Sequence, residues 1–540
     1  MASPSVFLIF TSYYQQIHTF LMADNRKEVE RAELHRTIWA IADEMRGSVD
    51  GWDFKSYILG MLFYRYISEN ITAYINRGEW ETGNNGFNYA NLDDKTAEGA
   101  RDEMVGVKGF FILPSQLFEN VCKVCDTDPN LNMTLEGIFA AIENSAKGTA
   151  SEDDFKGLFA DLDVNSNKLG ATVIKRNEKL VKLLRGVQSM KLGDYQNNTI
   201  DAFGDAYEYL MGMYASNAGK SGGEYYTPQE VSELLTKLAT VGKTQINKVY
   251  DPACGSGSLL LKAAKILGKD NVRQGFFGQE INLTTYNLCR INMFLHDIDY
   301  DKFDIACEDT LLSPQHWDDE PFECIVSNPP YSIKWKGDDD ITLINDPRFA
   351  PAGVLAPKSK ADLAFIMHSL SWLATNGTAA IVCFPGVMYR GGAEKKIRQY
   401  LIDNNYVDCI IQLPDNLFFG TPIATCIMVL KKAKKDNSTL FIDASKECVK
   451  ITNNNKLTEN NIQNIINVFT DREDVEHICK LVSNEEVADR DYNLSVSNYV
   501  EQEDTREKVD IVKLNAELKE IVEKENRLRA EIDQIISELE

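Results

Sequence analysis

Short runs of β-branched and aromatic residues alternate with helical stretches from about residue 245, and this alternation restricts the fold more than any other feature. Strands that alternate with helices along a chain form a mostly parallel, doubly wound sheet. The predicted strands are Lys248–Asp251, Gly275–Gln279, Phe303–Ala306, Glu323–Ser327, Ala379–Phe384, Val407–Gln412 and Ala424–Leu430. The sequence therefore predicts an α/β fold around a doubly wound, mostly parallel seven-stranded sheet.

The last predicted strand differs from the others in its connection. Only eleven residues, which include Pro414, Gly420 and Pro422, separate it from Val407–Gln412. A parallel crossover needs about a dozen or more residues, usually with a helix. We therefore expect Ala424–Leu430 to be antiparallel.

The regions on either side of the sheet have helical patterns. Residues 30–79 and 110–215 are predicted to be helical, whereas residues 80–106 are rich in Gly and Asn and are predicted to form a loop. Between Ile511 and Leu539 a row of residues is spaced alternately by three and four, and all of its members are apolar except Glu525. This heptad seam predicts a long helix that packs on a partner or, alternatively, on the chain itself.

The chain is strongly acidic, with 57 Lys and Arg against 81 Asp and Glu and a net charge of −24. Because phosphate affinity comes largely from Lys and Arg, this balance argues against a protein that binds DNA on its own. Lys175, Lys179 and Lys182 nevertheless share one face of a predicted helix. A solvated face is slightly favoured for them, and a contact with a DNA backbone is the alternative.

The cysteines and the N-terminal residues predict a cytoplasmic protein with no membrane partner. Eleven cysteines show no disulfide framework, and the one C-x-x-C, Cys122 and Cys125, is expected to pack in the core without a metal. The apolar run Val6–Phe10 is far shorter than the roughly 18–20 residues of a membrane span. Met22 opens the first charged stretch and is an alternative start.

A glycine-rich turn follows the first predicted strand, at 251–258, and precedes the helical stretch Leu259–Leu267. Glycines there let the backbone turn tightly and approach a ligand without interference from a Cβ atom. Glu280 ends the next strand, where a carboxylate can accept both hydroxyl groups of a ribose. Strand, glycine turn, helix, strand and acid in this order predict a nucleoside-binding site.

The glycine turn lacks the longer dinucleotide motif G-x-G-x-x-G, because position 260 is Leu rather than Gly. The fourth predicted strand ends in the tetrapeptide Asn328-Pro329-Pro330-Tyr331. Together, turn and tetrapeptide resemble S-adenosylmethionine-dependent methyltransferases that act on planar amino groups, chiefly N6 of adenine in DNA. The resemblance implies that the tetrapeptide is catalytic. It also implies that S-adenosyl-L-methionine is bound by Asp251, Ala253, Gly255, Ser256, Gly257, Ser258 and Glu280.

The tetrapeptide suits the chemistry of an exocyclic amine, whose lone pair is delocalised into the ring. The Asn328 amide oxygen and the Pro329 carbonyl can each accept one N–H, which directs the lone pair at the methyl group. Consecutive prolines keep these acceptors preorganised. Tyr331 offers a stacking face for a base removed from the duplex.

Three further segments extend the resemblance. In the family, a stretch that borders the cofactor pocket matches Glu224, Tyr225, Tyr226, Thr227, Pro228 and Gln229. Thr227 is the predicted N-cap of the helix Gln229–Ala239, and Pro228 is predicted at its N1 position. Asp309 is either a contact to the cofactor adenine, as in such families, or a turn acid. Leu413–Leu430 matches a region that often closes the target-base pocket, but Pro422 departs from the pattern, so we predict no catalytic residue there.

The chain as a whole resembles the modification subunit of type I restriction–modification systems, most closely the type IC branch. Two N-terminal stretches, Arg31–Trp39 and Arg46–Trp52, carry this likeness. Only about 100 residues follow Leu430, too few for a sizeable base-reading domain. The resemblance therefore implies a site-specific adenine methyltransferase with two copies on one specificity subunit, which selects the double-stranded DNA target, and with restriction subunits joining for cleavage.

Five segments are predicted. They are an extension at 1–29 that is not translated if Met22 is the start, a helical domain at 30–205, the methyltransferase domain at 206–435, an α/β extension at 436–505 and the heptad helix at 506–540. Two other functions remain open from the residues alone. One is a glutamine-amide or RNA-base N-methyltransferase, since the tetrapeptide suits any planar amide or amine, and the other is a non-catalytic assembly subunit.

Overall fold

Helices occupy most of the described chain ahead of the sheet. The structure, a computed structural model, describes residues 29–41, 51–192, 202–217, 227–418, 422–451, 454–502 and 511–539. The first helices are α1 (29–41), α2 (Gly51–Glu81), α3 (Asp94–Ala97), α4 (Arg101–Lys108), α5 (Phe118–Val124), α6 (Leu131–Ser145), α7 (Glu152–Phe155), α8 (Val173–Ser189) and α9 (Ala202–Asn217). The apolar run of α2 is buried, with Ile58 and Leu62 inaccessible, and α2 contacts α5, α8 and α9. The predicted helical character of this region is confirmed.

The predicted loop at 80–106 is wrong over part of its length, because α3 and most of α4 lie there. The Asp93 side chain caps α3 by accepting the Thr96 N–H, and Asp102 and Glu103 stand in the first turn of α4. Carboxylates are favourable at both positions because helix N-termini carry unpaired N–H groups and a positive dipole end. Local capping therefore outweighs the Gly and Asn content.

A nine-stranded sheet forms the centre of the larger of two compact units, Met1–Val500. Its strands are β1 (Ile246–Asp251), β2 (Val272–Gln279), β3 (Phe303–Ala306), β4 (Phe322–Ser327), β5 (Leu373–Cys383), β6 (Val407–Gln412), β7 (Cys426–Lys431), β8 (Ser438–Asp443) and β11 (Cys479–Ser483). Their spatial order is β11, β8, β6, β7, β5, β4, β1, β2, β3. A separate ribbon pairs β9 (Val449–Ile451) with β10 (Asn454–Lys456).

Strand β7 is antiparallel to both of its neighbours, β5 and β6, as predicted from its short connection. The predicted number of seven strands is wrong, because the segment after β7 adds two more. β8 pairs parallel with β6, and β11 pairs antiparallel with β8. Unpaired N–H and C=O groups make an open edge unfavourable, and these strands cover the edge that β6 would otherwise expose.

Helices cover both faces of the sheet, as a doubly wound fold requires. They are α10 (Gln229–Thr240), α11 (Ser258–Leu267), α12 (Leu283–Leu295), α13 (Asp362–Trp372), α14 (Ala393–Asp403), α15 (Glu459–Asp471) and α16 (Asn484–Asp489). Side chains of α10, α11, α12 and α15 join the N-terminal helices in one apolar core, and those of α13, α14 and α16 form a second. Adjacent residues of β1 divide accordingly, with Val249 in the first core and Tyr250 in the second.

The second unit, Glu501–Glu540, contains α17 (Ile511–Leu539), which confirms the predicted long helix. The apolar side chains of its heptad seam are exposed, with exposed fractions of 48% at Leu514, 51% at Leu518 and 63% at Ile521. A helix with such a stripe gains free energy by burying it against another surface.

Cys122 and Cys125 both pack in the core ahead of the sheet, as predicted. All eleven cysteines are free thiols. Within the described ranges, no helix is both long enough and apolar enough to cross a membrane. The predictions on Val6–Phe10 and Met22 lie outside the described residues.

Candidate active site

Three parallel strands end at one edge of the sheet. β1 ends at Asp251, β2 on one side of it at Gln279, and β4 on the other side at Ser327. The strand order reverses between β1 and β4, and ligands of doubly wound sheets bind beside the carboxyl ends of strands at such a switch point. The predicted glycine turn, acid and tetrapeptide follow these three strands directly.

Asp251 links β1 to β4. Its Oδ1 atom accepts hydrogen bonds from the Ala253 N–H at 3.0 Å and from the Ser327 hydroxyl at 2.8 Å. Its Oδ2 atom is buried and has no hydrogen-bond partner among the described residues. Burial raises the pKa of Asp251 to about 7, although the two hydrogen bonds act in the opposite direction. Because an unpaired buried oxygen costs free energy, a ligand that donates to it would bind favourably.

The glycine turn packs closely against α12. Gly257, the N-cap of α11, has a φ of +81°, and a Cβ atom there would lie 2.8 Å from the Cys289 Sγ. Asn292, also on α12, donates to the Ser256 carbonyl at 2.8 Å. Both the backbone conformation and the lack of space therefore require glycine at 257.

Glu280 lies beside this turn, directly after β2. One carboxylate oxygen accepts the Gly255 N–H at 3.1 Å and the other accepts the Asn282 N–H at 2.8 Å. Burial raises the pKa of Glu280, against the effect of these hydrogen bonds. Each carboxylate oxygen has two lone pairs, so both keep an acceptor position for a further donor.

Asp309 closes the turn after β3. Its Oδ1 atom accepts the N–H groups of Leu311 at 2.9 Å and Leu312 at 3.2 Å, which confirms the interpretation as a turn acid. The predicted contact with the cofactor adenine is compatible with this geometry, because Asp309 also lines the cavity described below. That contact stays a prediction.

Two buried side chains hold the loop that carries Asp309. Gln279 Nε2 donates to the carbonyls of Glu308 at 3.1 Å and Ser313 at 2.9 Å. The guanidinium of Arg348, which lies between β4 and β5, donates to two further carbonyls of the loop at 2.7 and 2.8 Å. The loop is thereby fixed on two sides by residues that no motif identifies.

Hydrogen bonds orient the Asn328 amide within the tetrapeptide. Its Nδ2 donates to the Thr227 Oγ1 at 3.0 Å, and its Oδ1 accepts the Tyr331 hydroxyl at 2.6 Å. Burial raises the pKa of Tyr331, so this hydroxyl keeps its proton. One lone pair of the amide oxygen remains for another donor. Asp362 fixes the following turn by accepting the Ser332 N–H at 3.1 Å.

A first cavity, of about 310 Å³, opens at this edge of the sheet. The predicted site residues that line it are Thr227, Asp251, Ala253, Gly255, Ser256, Ser258, Glu280, Asp309, Asn328 and Pro330. The others that the structure describes, Pro228, Gln229, Gly257, Pro329 and Tyr331, do not line it. The structure thus brings the turn, the acid and the tetrapeptide to one cavity.

A second cavity, of about 270 Å³, also borders the tetrapeptide. Its lining residues are Tyr331, Ser332, Phe384, Ile423 and Thr425. The Phe384 ring lies 6.5 Å from the Tyr331 ring at an interplanar angle of 48°. Asn328 lines the first cavity and Tyr331 the second, so the tetrapeptide contributes to both.

The predicted N-cap at Thr227 is wrong. Pro228 is the N-cap of α10, with an extended ψ of 137° and no capping side-chain hydrogen bond. The Thr227 hydroxyl accepts the Asn328 amide instead. The predictions on Glu224, Tyr225 and Tyr226, and those on residues 42–50 and 419–421, lie outside the described residues.

Sequence reasoning missed about half of the first cavity. Besides Pro252 and Cys254, which belong to the predicted turn, the additional lining residues are Leu259, Gln279, Ile281, Thr310, Leu311, Ile333, Lys334, Trp335 and Phe365. The sequence offered a signal for Ile281, since this apolar residue directly follows the predicted cofactor-binding acid Glu280. In the structure its exposed fraction is 68%. Trp335 and Phe365 come from the long segment between β4 and β5, where no motif identifies them.

Among the described residues, one cluster has donor atoms spaced for a metal ion: Asp304, His316 and Asp319. His316 already uses both ring nitrogens, with Nε2 2.9 Å from the Gly278 carbonyl and Nδ1 3.1 Å from Asp319 Oδ2. None of the three lines either cavity. These two hydrogen bonds account for the position of His316 in the cluster.

Two family models match the chain. Residues 198–508 match the model described as N-6 DNA Methylase, and residues 34–187 match the HsdM N-terminal domain. The N-6 DNA Methylase match favours a DNA base over a glutamine amide or an RNA base as the acceptor. It covers more than half of the chain and includes every described residue of both cavities.

Relatives agree with these matches over nearly the whole chain. The type I restriction enzyme MpnII methylase subunit of Mycoplasma pneumoniae is 48% identical over 96% of this chain and 98% of its own. The MjaVII methylase subunit of Methanocaldococcus jannaschii is 29% identical over 95% of this chain and 85% of its own. The crystal structure of a type I restriction–modification methyltransferase subunit from Streptococcus thermophilus is similar, with a TM-score of 0.78, 34% identity, and coverage of 87% of this chain and 100% of that one. The chain belongs to the methylase subunits of type I restriction enzymes.

Proposed function

We propose that this DNA adenine-N6 methyltransferase subunit binds S-adenosyl-L-methionine in the first cavity and a flipped target adenine in the second. The observation that carries the proposal is that the tetrapeptide lines both cavities. Direct transfer needs the two reacting atoms close together and aligned, which a shared wall favours.

The first cavity has the donor set that S-adenosyl-L-methionine requires. The unpaired Oδ2 of Asp251 suits the amino-acid ammonium group, and the two free acceptor positions of Glu280 suit the ribose hydroxyls. The glycine turn brings backbone rather than side chains to the ligand. Asp309 offers a carboxylate near the adenine end, as the family resemblance implies.

The tetrapeptide prepares the amine for attack. When bound, S-adenosyl-L-methionine supplies an electrophilic methyl group on a sulfonium sulfur. Asn328 Oδ1 and the Pro329 carbonyl each accept one N–H of the adenine amine, which localises the nitrogen lone pair and directs it at the methyl group. Thr227 keeps the amide oxygen facing the amine, because it accepts the Nδ2 hydrogen. The two prolines restrict the backbone that carries both acceptors.

The partners follow from family membership. We propose that a specificity subunit selects the DNA target and binds two copies of this chain, and that restriction subunits join for cleavage, in the cytoplasm. We further propose that the chain belongs to the type IC branch, which it resembles most closely from about residue 30 to its end. The division into five segments is part of the same proposal.

The Asn328→Ala substitution tests the proposal in the complex with the specificity subunit. Loss of a preorganised acceptor should reduce methyl transfer by about 10²–10³-fold, the effect of removing one such group from an active site. Tritiated methyl transfer to plasmid DNA measures the rate, and calorimetric titration with S-adenosylhomocysteine measures cofactor-site binding. We expect cofactor-site binding to persist in this variant, because the Asn328 amide oxygen acts on the adenine amine rather than on the cofactor.

Glu280→Ala is the matched variant, because it should weaken cofactor-site binding by about 1.5–3 kcal/mol, the contribution of hydrogen bonds to a charged acceptor. Equal loss of transfer and binding in a folded Asn328→Ala protein would contradict the assigned roles. An inactive wild-type complex that binds DNA would favour the non-catalytic assembly subunit.

A further inference from the structure

The second cavity is lined by a threonine whose buried hydroxyl has no hydrogen-bond partner among the described residues. Thr425 is 1% exposed, and its Oγ1 has no hydrogen-bond partner in the part of the chain that the structure describes. Its carbonyl, by contrast, accepts the Leu413 N–H at 2.9 Å and the Gln412 side chain at 3.1 Å. The backbone at Thr425 is therefore held in place, and because an unpaired buried hydroxyl costs free energy, a ligand that bonds to this hydroxyl would bind favourably.

Strand register places this hydroxyl beside an aromatic wall. Cys383, the last residue of β5, pairs with Cys426, the first residue of the antiparallel β7. Phe384 and Thr425 are the next residues on the two strands, and both line the cavity with Tyr331. The Arg390 guanidinium lies 5.1 Å from the Phe384 ring centroid, a cation–π contact that helps to fix the ring. Two aromatic rings and one hydroxyl form a site for a planar group with a hydrogen-bonding edge.

The chemistry of adenine leaves one kind of partner for the hydroxyl. Adenine has hydrogen-bond donors only on its amine, and both of these are taken by Asn328 and Pro329 in the reaction proposed above. Its remaining polar atoms are the ring nitrogens N1, N3 and N7, which are acceptors. A hydroxyl in contact with the base can therefore only donate to a ring nitrogen.

We propose that Thr425 Oγ1 donates a hydrogen bond to a ring nitrogen of the flipped adenine, with Phe384 and Tyr331 as the aromatic walls. This inference rests on the proposed function and deepens it, since it names the residue that recognises the target base. Thr425 lies in the segment after β6 for which the sequence predicts no catalytic residue.

The test compares Thr425→Val, which removes the hydroxyl at nearly constant volume, with Thr425→Ser, which keeps it, in the complex with the specificity subunit. We expect kcat/KM for methyl transfer to fall roughly fivefold in the valine variant, the net effect of one hydrogen bond. The serine variant should recover most of this loss. Thr236→Val is the matched control, a buried threonine on α10 whose hydroxyl bonds to the Ser232 carbonyl and which lines neither cavity.

Base analogues then separate recognition of the base from an effect on folding. Duplexes carry 1-deaza-, 3-deaza- or 7-deazaadenine at the methylated position, located beforehand by sequencing plasmid methylated by the wild-type complex. Replacing adenine by one of the three analogues should lower kcat/KM roughly fivefold more for wild type than for Thr425→Val. The reason is that the valine variant has no hydrogen bond left to lose. The other two should affect both proteins equally.

Equal responses of wild type and Thr425→Val to all three analogues would overturn the inference, as would an unchanged rate on adenine. If the valine protein does not fold, the analogues are tested with wild type and the serine variant instead. Methyl transfer to all three analogues at the same rate as to adenine would then exclude recognition of a ring nitrogen. The proposed function itself would be refuted by a different result. Either the wild-type complex would transfer no methyl group to adenine in DNA, or Asn328→Ala would transfer it at the full wild-type rate.

Discussion

At the scale of single residues, the acidic groups of the first cavity differ in how much of their hydrogen-bonding capacity the protein uses. Asp251 places one oxygen in two hydrogen bonds and leaves the other buried without a described partner. Glu280 uses both oxygens and keeps capacity on each. A cationic ligand group therefore gains most at Asp251, and a pair of hydroxyls gains most at Glu280.

The pKa of about 7 at Asp251 predicts pH-dependent cofactor binding. The ammonium group of the ligand needs the ionised carboxylate, so affinity should rise with pH by up to about tenfold per unit below pH 7 and level off above it. Calorimetric titration with S-adenosylhomocysteine between pH 6 and 8 measures this slope. Asp251→Asn should bind more weakly and lose most of the slope, whereas a slope that persists in full would remove Asp251 from the contact.

The raised pKa of Asp251 also lowers the free energy of unfolding of the ligand-free protein near neutral pH. The folded protein holds the Asp251 proton to a higher pH than the unfolded chain, so this group destabilises the fold progressively as the pH rises from about 4 to about 7. Binding of a cation at Oδ2 offsets that cost. The unfavourable burial of Asp251 thus makes physical sense as part of a binding site.

At the scale of elements, α17 differs from every helix around the sheet because its apolar seam is exposed. Helices α10 and α11 bury their apolar sides, with Leu234 and Leu260 inaccessible, while Leu518 and Ile521 of α17 are more than half exposed. The heptad spacing suits a second helix rather than a sheet face. The specificity subunit is the partner that we propose for it.

Deletion of residues 508–540 should abolish assembly with the specificity subunit and leave S-adenosylhomocysteine binding unchanged. The reason is that α17 belongs to the second compact unit, whereas both cavities lie in the first. Size-exclusion chromatography with light scattering measures assembly. The double variant Ile521→Asp, Leu528→Asp should act like the deletion, and Glu523→Ala, off the heptad seam, should not. An unchanged complex after deletion would contradict the partner role.

At the scale of the whole molecule, the net charge of −24 opposes DNA binding, although we propose that the second cavity holds a DNA base. Lys175, Lys179 and Lys182 form no ion pair with any described residue, and burial together with the two other lysines lowers the pKa of Lys179. This pattern does not decide between a solvated face and a backbone contact. Three lysines are in either case a small share of what a stable DNA complex needs, so the specificity subunit should supply most of the affinity.

The isolated chain should therefore bind DNA weakly, with a Kd of about 10⁻⁶ M or higher, and strongly salt-dependently. Fluorescence anisotropy with a labelled duplex at 50 and 200 mM salt measures this, with the assembled complex as the comparison. The complex should bind its target far more tightly. Tight binding by the lone chain that salt does not weaken would contradict this division of labour.

Much of the site was predictable from the sequence, because its motifs are local. Asp251, the glycine turn, Glu280 and the tetrapeptide each lie within a few residues of a strand end, and the backbone conformation of a short segment determines their form. Parallel strand order then brings the ends together without further information. The same local logic predicted the antiparallel β7, from a connection too short for a crossover.

Contacts between distant segments could not be predicted in this way. Only the tertiary structure shows that β8 and β11 extend the sheet to nine strands, and that the buried Arg348 holds the Asp309 loop. Thr227 lies beside α10 but bonds to Asn328 across about 100 residues rather than capping the helix. Long-range partners of this kind depend on which elements pack together, and periodicity within one element carries no information about that.

The sequence by itself determined the class of fold and predicted the roles that we propose for the tetrapeptide and the glycine turn, since these predictions depend on residue type and short-range backbone geometry. Only the tertiary structure decided that the tetrapeptide lines two cavities and that Thr425, with its buried hydroxyl, lines the second. The physical reason is that a cavity is the space left where several elements pack. Its walls are therefore a property of the packing as a whole rather than of any one segment.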